Sequence, residues 1–343
     1  MRVLLGGSWE AARWHLAASQ EPLIDKLLKD LTQKGNELIG KHFRTIFDYP
    51  LFCDEVSKIW GLTKKTKAVN ISGRGKKVLS EQQVKQFQRD GYLRGGRVVS
   101  DAQVELLRAE VKRVIDERER IDIPQPVLCR NLNGENWDAP VWQIVNIWEA
   151  SSLFKDLIIS SRQIANEIAQ LTQANSLRIW HDQIQYKPPK VGGAAYWHQD
   201  APLWPIIEPM TEVSAWVALD DVDEDNGCMW MVPGSHNWGN AIEFIKGNIP
   251  TFFELPKTYK ENRVEARPCP VLKGEVHFHH ALAWHGSPAN SSERPRRAIA
   301  IHYMTDDTHF VESGDHVMKP FVEVGDGEVM RGAHFPLVWE RDA

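Results

Sequence analysis

Cysteine is scarce in this chain. Cys53, Cys129, Cys228 and Cys269 are scattered over 343 residues with no C-x-x-C pair. That scatter excludes a zinc ribbon or a thioredoxin-type redox pair, and it reads as reduced thiols in a cytoplasmic protein. A basic excess is also missing. The net charge is −5, and phosphate binding needs a basic face, so nucleic acid is not the expected partner. No apolar run approaches the roughly 20 residues of a membrane span, so no membrane partner is expected. The opening MRVLLGGSWEAARWHL has too short an apolar core for a secretory signal. Repeats and low-complexity tracts are lacking. Length and composition fit one large domain, or one domain with an appendage. What the chain does have is thirteen histidines and fourteen tryptophans. Eight of the histidines fall between His181 and His302, which puts the expected chemistry there.

Residues 1–62 read as helical from the apolar spacing in PLIDKLLKDLTQKGNELIGKHF. KKTKAVNISGRGKK, Lys64 to Lys77, is basic, contains glycine and lacks large apolar residues, so it reads as a solvated linker. Residues 1–77 are thus an N-terminal helical extension and basic linker, with a dimer element, a lid or a partner-binding arm as candidate roles; a homodimer through this segment is one expectation. The main domain, 78–343, opens with two capping-box patterns. Ser80 and Gln83 start a helix that should stop at Gly91, and Ser100 and Gln103 start a longer one. Val104, Leu107, Val111 and Val114 mark the buried face of that second helix. A third helix is expected from Phe154 to Leu171, with Leu157, Ile164, Ile168 and Leu171 inward. From Leu177 the pattern changes to short, β-branched and aromatic runs: LRIWHDQIQY, EVSAWVALD, CMWMVP, EVHFHH and RAIAIHYM. Gly, Pro, Asn and Asp punctuate them, which predicts an antiparallel β sandwich or barrel after the helices.

Within that β region, YWHQDAPLWP places His198 and Asp200 two residues apart. Residues two apart in a strand share a side, so an imidazole and a carboxylate aim at one point. A buried His–Asp hydrogen bond is the common structural outcome of such a pair. A third ligand, a second histidine, would complete a two-histidine, one-carboxylate facial triad, the set that leaves three positions open on iron(II). His277, His279, His280 and His285 are the candidates, and spacing does not choose among them. Arg296, at the start of a predicted inward-facing strand, is the fourth element. A buried guanidinium needs an anion. The alternative is a surface cluster of Arg294, Arg296 and Arg297 paired with Glu293.

WHQD, AWVALDDVDEDNGCMWMVPGSH and GEVHFHHALAWHGSPANSSERPRRAI, in that order, resemble the phytanoyl-CoA dioxygenase family. LSEQQVKQFQRDGYL and SDAQVELLRAEV resemble that family's N-terminal helices. The resemblance runs from Val78 toward the C-terminus. It implies a mainly β fold with flanking α, a double-stranded β-helix of the jelly-roll, cupin-like kind. It also implies a dioxygenase that uses iron(II), 2-oxoglutarate and O2, with ascorbate as a stimulant. His198 and Asp200 match the family's H-x-D ligands, and His285, in its W-H-G-S context, matches the distal ligand. Arg296 matches the arginine that holds the far carboxylate of 2-oxoglutarate. Trp216 and, less closely, Gln183 match co-substrate contacts. Ser287 is either a turn residue or a hydrogen-bond donor near the same carboxylate.

The implied activity is hydroxylation of a C–H bond, releasing succinate and carbon dioxide. Desaturation, epoxidation, cyclisation and epimerisation are alternatives on the same cofactors. A 2-oxoglutarate-independent metal enzyme that does not need Arg296 and a non-catalytic metal-binding module are further alternatives. Asp200 argues against halogenation, because halogenases of this kind lack the carboxylate. No Lys/Arg cluster near the motifs resembles a CoA phosphate site. Trp204, in a Pro-bounded loop, is the leading substrate contact. Gln143 and Trp284 are further candidates, and Asn146, Trp197 and Leu203 were weighed beside them.

Overall fold

The structure, a computed structural model, describes residues 78–132, 134 and 140–342. The expectations for residues 1–77 lie outside this range. The two capping boxes form as read. Ser80 caps α1 (Glu81–Asp90), which ends at Gly91 in the left-handed region, φ 79°. Ser100 caps α2 (Asp101–Asp116), whose Val104, Leu107, Val111 and Val114 are all buried. The expected third helix is two: α3 (Ser152–Ser160) and α4 (Arg162–Thr172). Ser161 between them is extended, with ψ 93°. Consecutive serines favour caps and turns over helix interiors, which the apolar period alone does not reveal. Leu157, Ile164, Ile168 and Leu171 are nonetheless buried, as expected.

Two antiparallel sheets build the core, with two further two-stranded ones beside them. The larger contains β1 (Tyr92–Arg97), β2 (Leu128–Asn131), β3 (Trp142–Val145), β4 (Ser176–Lys187), β6 (Val213–Ala218), β9 (Glu275–His280), β11 (Arg296–Thr305) and β12 (Leu337–Glu340). Their order is β1-β9-β6-β11-β4-β3-β2, with β12 also on β4. The smaller sheet contains β5 (Ala195–His198), β7 (Met229–Met231), β8 (Arg267–Cys269) and β10 (His285–Ser287), in the order β8-β7-β10-β5. All five strands read from the sequence are present. The short edge strands β1 and β2 escaped because YLRGGR and LCRN carry too little apolar alternation.

Register fixes what faces inward. β11 lies between β4 and β6, so His302 sits opposite His181 and Ser214, Ala300 opposite Gln183 and Trp216, and Arg296 opposite Lys187. A cluster of Trp216, Ala218, Ala298 and Ala300 from the large sheet with Met229, Met231 and Cys269 from the small one joins the two sheets. Helix α4 covers the large sheet's other face, against β4, β6 and β12. The arrangement is the expected jelly roll, with a polar row of side chains on the inner face of one sheet.

Candidate active site

The small sheet presents His198 and His285 to each other. They are register partners across β5 and β10, with ring centroids 4.1 Å apart. His285 opens its strand. Asp200 follows at the start of a 3-10 turn, Ala201–Leu203, and its backbone N–H donates to the carbonyl of Ala281. Both Nε2 atoms stand 3.5 Å from Asp200 Oδ1, and one ligand atom from each of the three residues lies within 4.8 Å of the others.

The ring tautomers suit metal binding. His198 Nδ1 is 2.7 Å from the carbonyl of Tyr196, and His285 Nδ1 is 3.0 Å from that of Ala283. A carbonyl only accepts, so each Nδ1 carries a proton and turns its Nε2 toward Asp200; burial would lower the His198 pKa, but the hydrogen bond to Asp200 outweighs it and raises it. Asp200 Oδ2 is meanwhile held by His279 Nε2 at 3.2 Å, which leaves Oδ1 facing the pair. Burial alone would raise the Asp200 pKa, but His285, His198 and His279 outweigh it and hold the carboxyl well below its usual range. Burial and then His198 lower His285 to about 3, so its imidazole is neutral at physiological pH. These residues fit a divalent cation with two imidazole nitrogens and one carboxylate oxygen.

The other histidines separate cleanly. His277 is buried with both ring nitrogens unpartnered and stacks on Tyr92. His280 faces away, against His236.

Arg296 begins β11 inside the sandwich and is 2% exposed. Its guanidinium lies over Trp216, 4.9 Å from the ring centroid, and its Nε has no hydrogen-bond partner. Burial lowers its pKa to about 10, still a cation. The surface-cluster alternative fails, because its other members pair elsewhere. Arg297 bonds Asp220, Arg294 bonds Asp223 and Glu293 bonds Lys190. Among the described residues no carboxylate forms an ion pair with Arg296, and a bound dicarboxylate would satisfy it.

A cavity of about 620 Å³ joins these parts, with His198 and Asp200 at one side and Arg296 at another. Gln143, Gln183 and Trp204 line it, as expected. Arg130 Nε donates to Gln143 Oε1 at 2.7 Å, and Gln143 Nε2 donates to Gln183 Oε1 at 2.9 Å. That chain orients the Gln183 amide with its NH2 free to donate. Trp216 Nε1 donates to Gln185 Oε1 at 3.2 Å. Ser287 is a buried strand residue, not a turn residue, and accepts from Lys187 Nζ at 2.6 Å.

Three sequence candidates fall away as substrate contacts. Trp284 is fully buried on the far side of the small sheet, packed with Trp238, Phe244 and Tyr259. Its neighbours His285 and Ala283 face the sandwich, and strand alternation turns Trp284 away from it. Trp197 stacks on Phe252 for the same reason. Asn146 is buried in a left-handed turn, bonded to Glu149 and the N–H of Asp182. Conversely, His181, Gln185, Lys187, His302 and His316 line the cavity without having been singled out. The i, i+2 spacing of His181, Gln183, Gln185 and Lys187 was visible; His316 arrives from a loop with no periodic signal.

No described helix is long and apolar enough to cross a membrane. The family model for phytanoyl-CoA dioxygenase (PhyH) matches residues 87–298. The peroxisomal phytanoyl-CoA dioxygenase of Mus musculus is 26% identical over 264 residues, covering 73% of this chain and 76% of that protein. Among solved structures, SnoK, a non-heme alpha-ketoglutarate-dependent carbocyclase from nogalamycin biosynthesis, matches with a TM-score of 0.59 at 25% identity. That match covers 78% of this chain and all of SnoK. The epimerase SnoN, solved with Fe3+, alpha-ketoglutarate and nogalamycin RO, shares the fold with a TM-score of 0.58 at 23% identity, over 75% of this chain and 98% of SnoN. The chain therefore belongs to the phytanoyl-CoA dioxygenase family and is an iron- and 2-oxoglutarate-dependent dioxygenase.

Proposed function

We propose that this enzyme hydroxylates a C–H bond of a small-molecule substrate, converting R–H, O2 and 2-oxoglutarate to R–OH, succinate and carbon dioxide. One observation carries the reading. A cavity is lined by His198, Asp200 and Arg296, His285 stands beside the first two, and the buried Arg296 guanidinium has no ion-pair partner among the described residues. His198, Asp200 and His285 would hold iron(II), and Arg296 the far carboxylate of 2-oxoglutarate. When bound, the iron and 2-oxoglutarate supply O2 activation and C–H oxidation. Each residue of the chain has a definite part in this reading. Trp216 supports the guanidinium face. Lys187 fixes the Ser287 oxygen, leaving its hydroxyl proton to point at the co-substrate. The Arg130–Gln143–Gln183 chain presents an amide donor to the same space. Trp204 and Leu203 wall the cavity next to Asp200 and exclude water.

Iron(II) and 2-oxoglutarate added without air should give the weak visible metal-to-ligand band in wild type. The band should weaken or vanish in Asp200→Ala and Arg296→Ala. Bound iron without a band would overturn the 2-oxoglutarate reading; a band unchanged in Arg296→Ala would favour another anchor. Ascorbate is expected to stimulate turnover without being consumed in proportion to product. The similarity to a carbocyclase favours one second reading, oxidative ring closure. Product mass separates them: hydroxylation adds one oxygen, and ring closure removes two hydrogens.

A further inference from the structure

Beyond the metal and co-substrate groups, the cavity has a wall of three histidines that the reaction as described does not use. His181 stands opposite His302 across β4 and β11, with ring centroids 4.6 Å apart, and stacks on His316 at 5.6 Å. All three line the same cavity as His198 and Asp200. Trp204 packs edge-on against both His181 and His302.

Two of the tautomers can be read from their partners. His181 Nδ1 faces the carbonyl of Asp182 at 3.4 Å. A carbonyl accepts only, so Nδ1 carries the proton and Nε2 is a bare acceptor. That Nε2 is buried and has no donor. His316 is the converse: its Nδ1 accepts from the N–H of Met318 at 3.2 Å, so its Nε2 carries a proton and is a donor. His302 is tied through Nδ1 to Ser214 Oγ at 2.7 Å, which fixes the ring between them. A buried acceptor left without a donor among the described residues is unfavourable, and because His181 lines the cavity, a molecule filling it can supply one. Leu128, Val145, Leu203 and Val317 add apolar lining to the same cavity, whose other polar groups include Gln143, Gln183 and Lys187.

We infer that this wall is a polar subsite for the substrate, and that the substrate is a hydroxyl-bearing molecule, an alcohol or phenol. Its O–H donates to His181 Nε2, and an oxygen of the substrate accepts from His316 Nε2–H. Trp204 backs the site, so the hydroxyl is held a fixed distance from the carbon to be oxidised. The inference rests on the cavity being the substrate site of the proposed reaction. It excludes a plain hydrocarbon chain as the group bound beside the metal.

The test uses the full chain, free of metal and 2-oxoglutarate, with 15N-labelled histidine, and takes phenol and toluene as probes of matched shape. In the free protein, the His181 resonances should show a bare Nε2 and a protonated Nδ1, identified by their loss in His181→Phe. Phenol should move the Nε2 resonance toward its hydrogen-bonded position, and toluene should not. The phenol-over-toluene affinity ratio should fall about tenfold in His181→Phe, the equivalent of about 1.4 kcal/mol. It should be largely kept in His181→Gln, which restores an acceptor. An unmoved Nε2 resonance in wild type, or an equal ratio in His181→Phe, would overturn the subsite. Because neither iron nor 2-oxoglutarate is present, this result is independent of the visible band. Failure of the band with the phenol effect intact would sink the iron reading alone.

Discussion

Arg296 allows a prediction with two opposite signs. Burial lowers its pKa from 12.5 to about 10. At about 1.36 kcal/mol per unit, the charged form carries a penalty of about 3 kcal/mol. Neutral pH lies below both values, so the guanidinium is charged folded and unfolded, and the whole penalty applies there. The Trp216 face offsets about 1 kcal/mol of it. Arg296→Met keeps much of the side-chain volume and removes the charge. The variant without metal or co-substrate should therefore be more stable by about 1–2 kcal/mol, a rise in Tm of about 3–6 °C. Its affinity for 2-oxoglutarate should fall about 30-fold or more, because truncating one partner of a buried charge pair costs about 2 kcal/mol or more. Calorimetric melting of the metal-free protein reads the first effect, and anaerobic titration of the iron(II) form with 2-oxoglutarate reads the second. A variant less stable than wild type that binds 2-oxoglutarate equally well would refute the assignment, because Arg296 would then have an internal partner.

Other outcomes follow from single residues. Glu212 is 1% exposed, and neither carboxylate oxygen has a partner. Burial pushes it up to about 8, so its contribution is complete below pH about 4.5 and is lost as pH rises through about 8. Melting of wild type should thus worsen between these limits more than that of Glu212→Gln, by a gap on the order of a few kcal/mol at the alkaline end; parallel curves would contradict this. Trp284→Ala should cost about 3–5 kcal/mol of stability as a core truncation, while the folded variant keeps the wild-type KM for 2-oxoglutarate. A raised KM with unchanged melting would return Trp284 to the site. Lys187→Met releases the Ser287 oxygen and should raise the KM for 2-oxoglutarate about three- to tenfold, the value of one hydrogen bond, with kcat little changed; steady-state kinetics decides.

Much of this site was legible because its parts are local in sequence. Capping boxes at Ser80 and Ser100 and the apolar face of α2 are decided within four residues of each spot, and they appear as read. His198 and Asp200 are likewise a local pair. The distal histidine was a choice of four that spacing left open, because cross-strand register, which pairs His285 with His198, is set by contacts 87 residues apart. Resemblance chose His285, and the geometry brings that residue to the pair. Trp284 shows the reverse failure. One residue from His285, it looked like a wall of the pocket, yet a strand turns neighbours to opposite faces, and its sheet was too short to announce its period. The split at Ser161 was hidden because an apolar period survives a one-residue break.

The small sheet supplies His198 and His285, and the large sheet supplies Arg296, Trp216 and Gln183. What separates them is the layer where Ala218, Ala298 and Ala300 meet Met229 and Met231. These alanines act as spacers: their methyl groups pack between the sheet that carries His198 and His285 and the sheet that carries Arg296, the residue proposed to hold the far end of 2-oxoglutarate. A bulkier residue at Ala300 would pry the layers apart, detuning the enzyme while every ligand stayed in place.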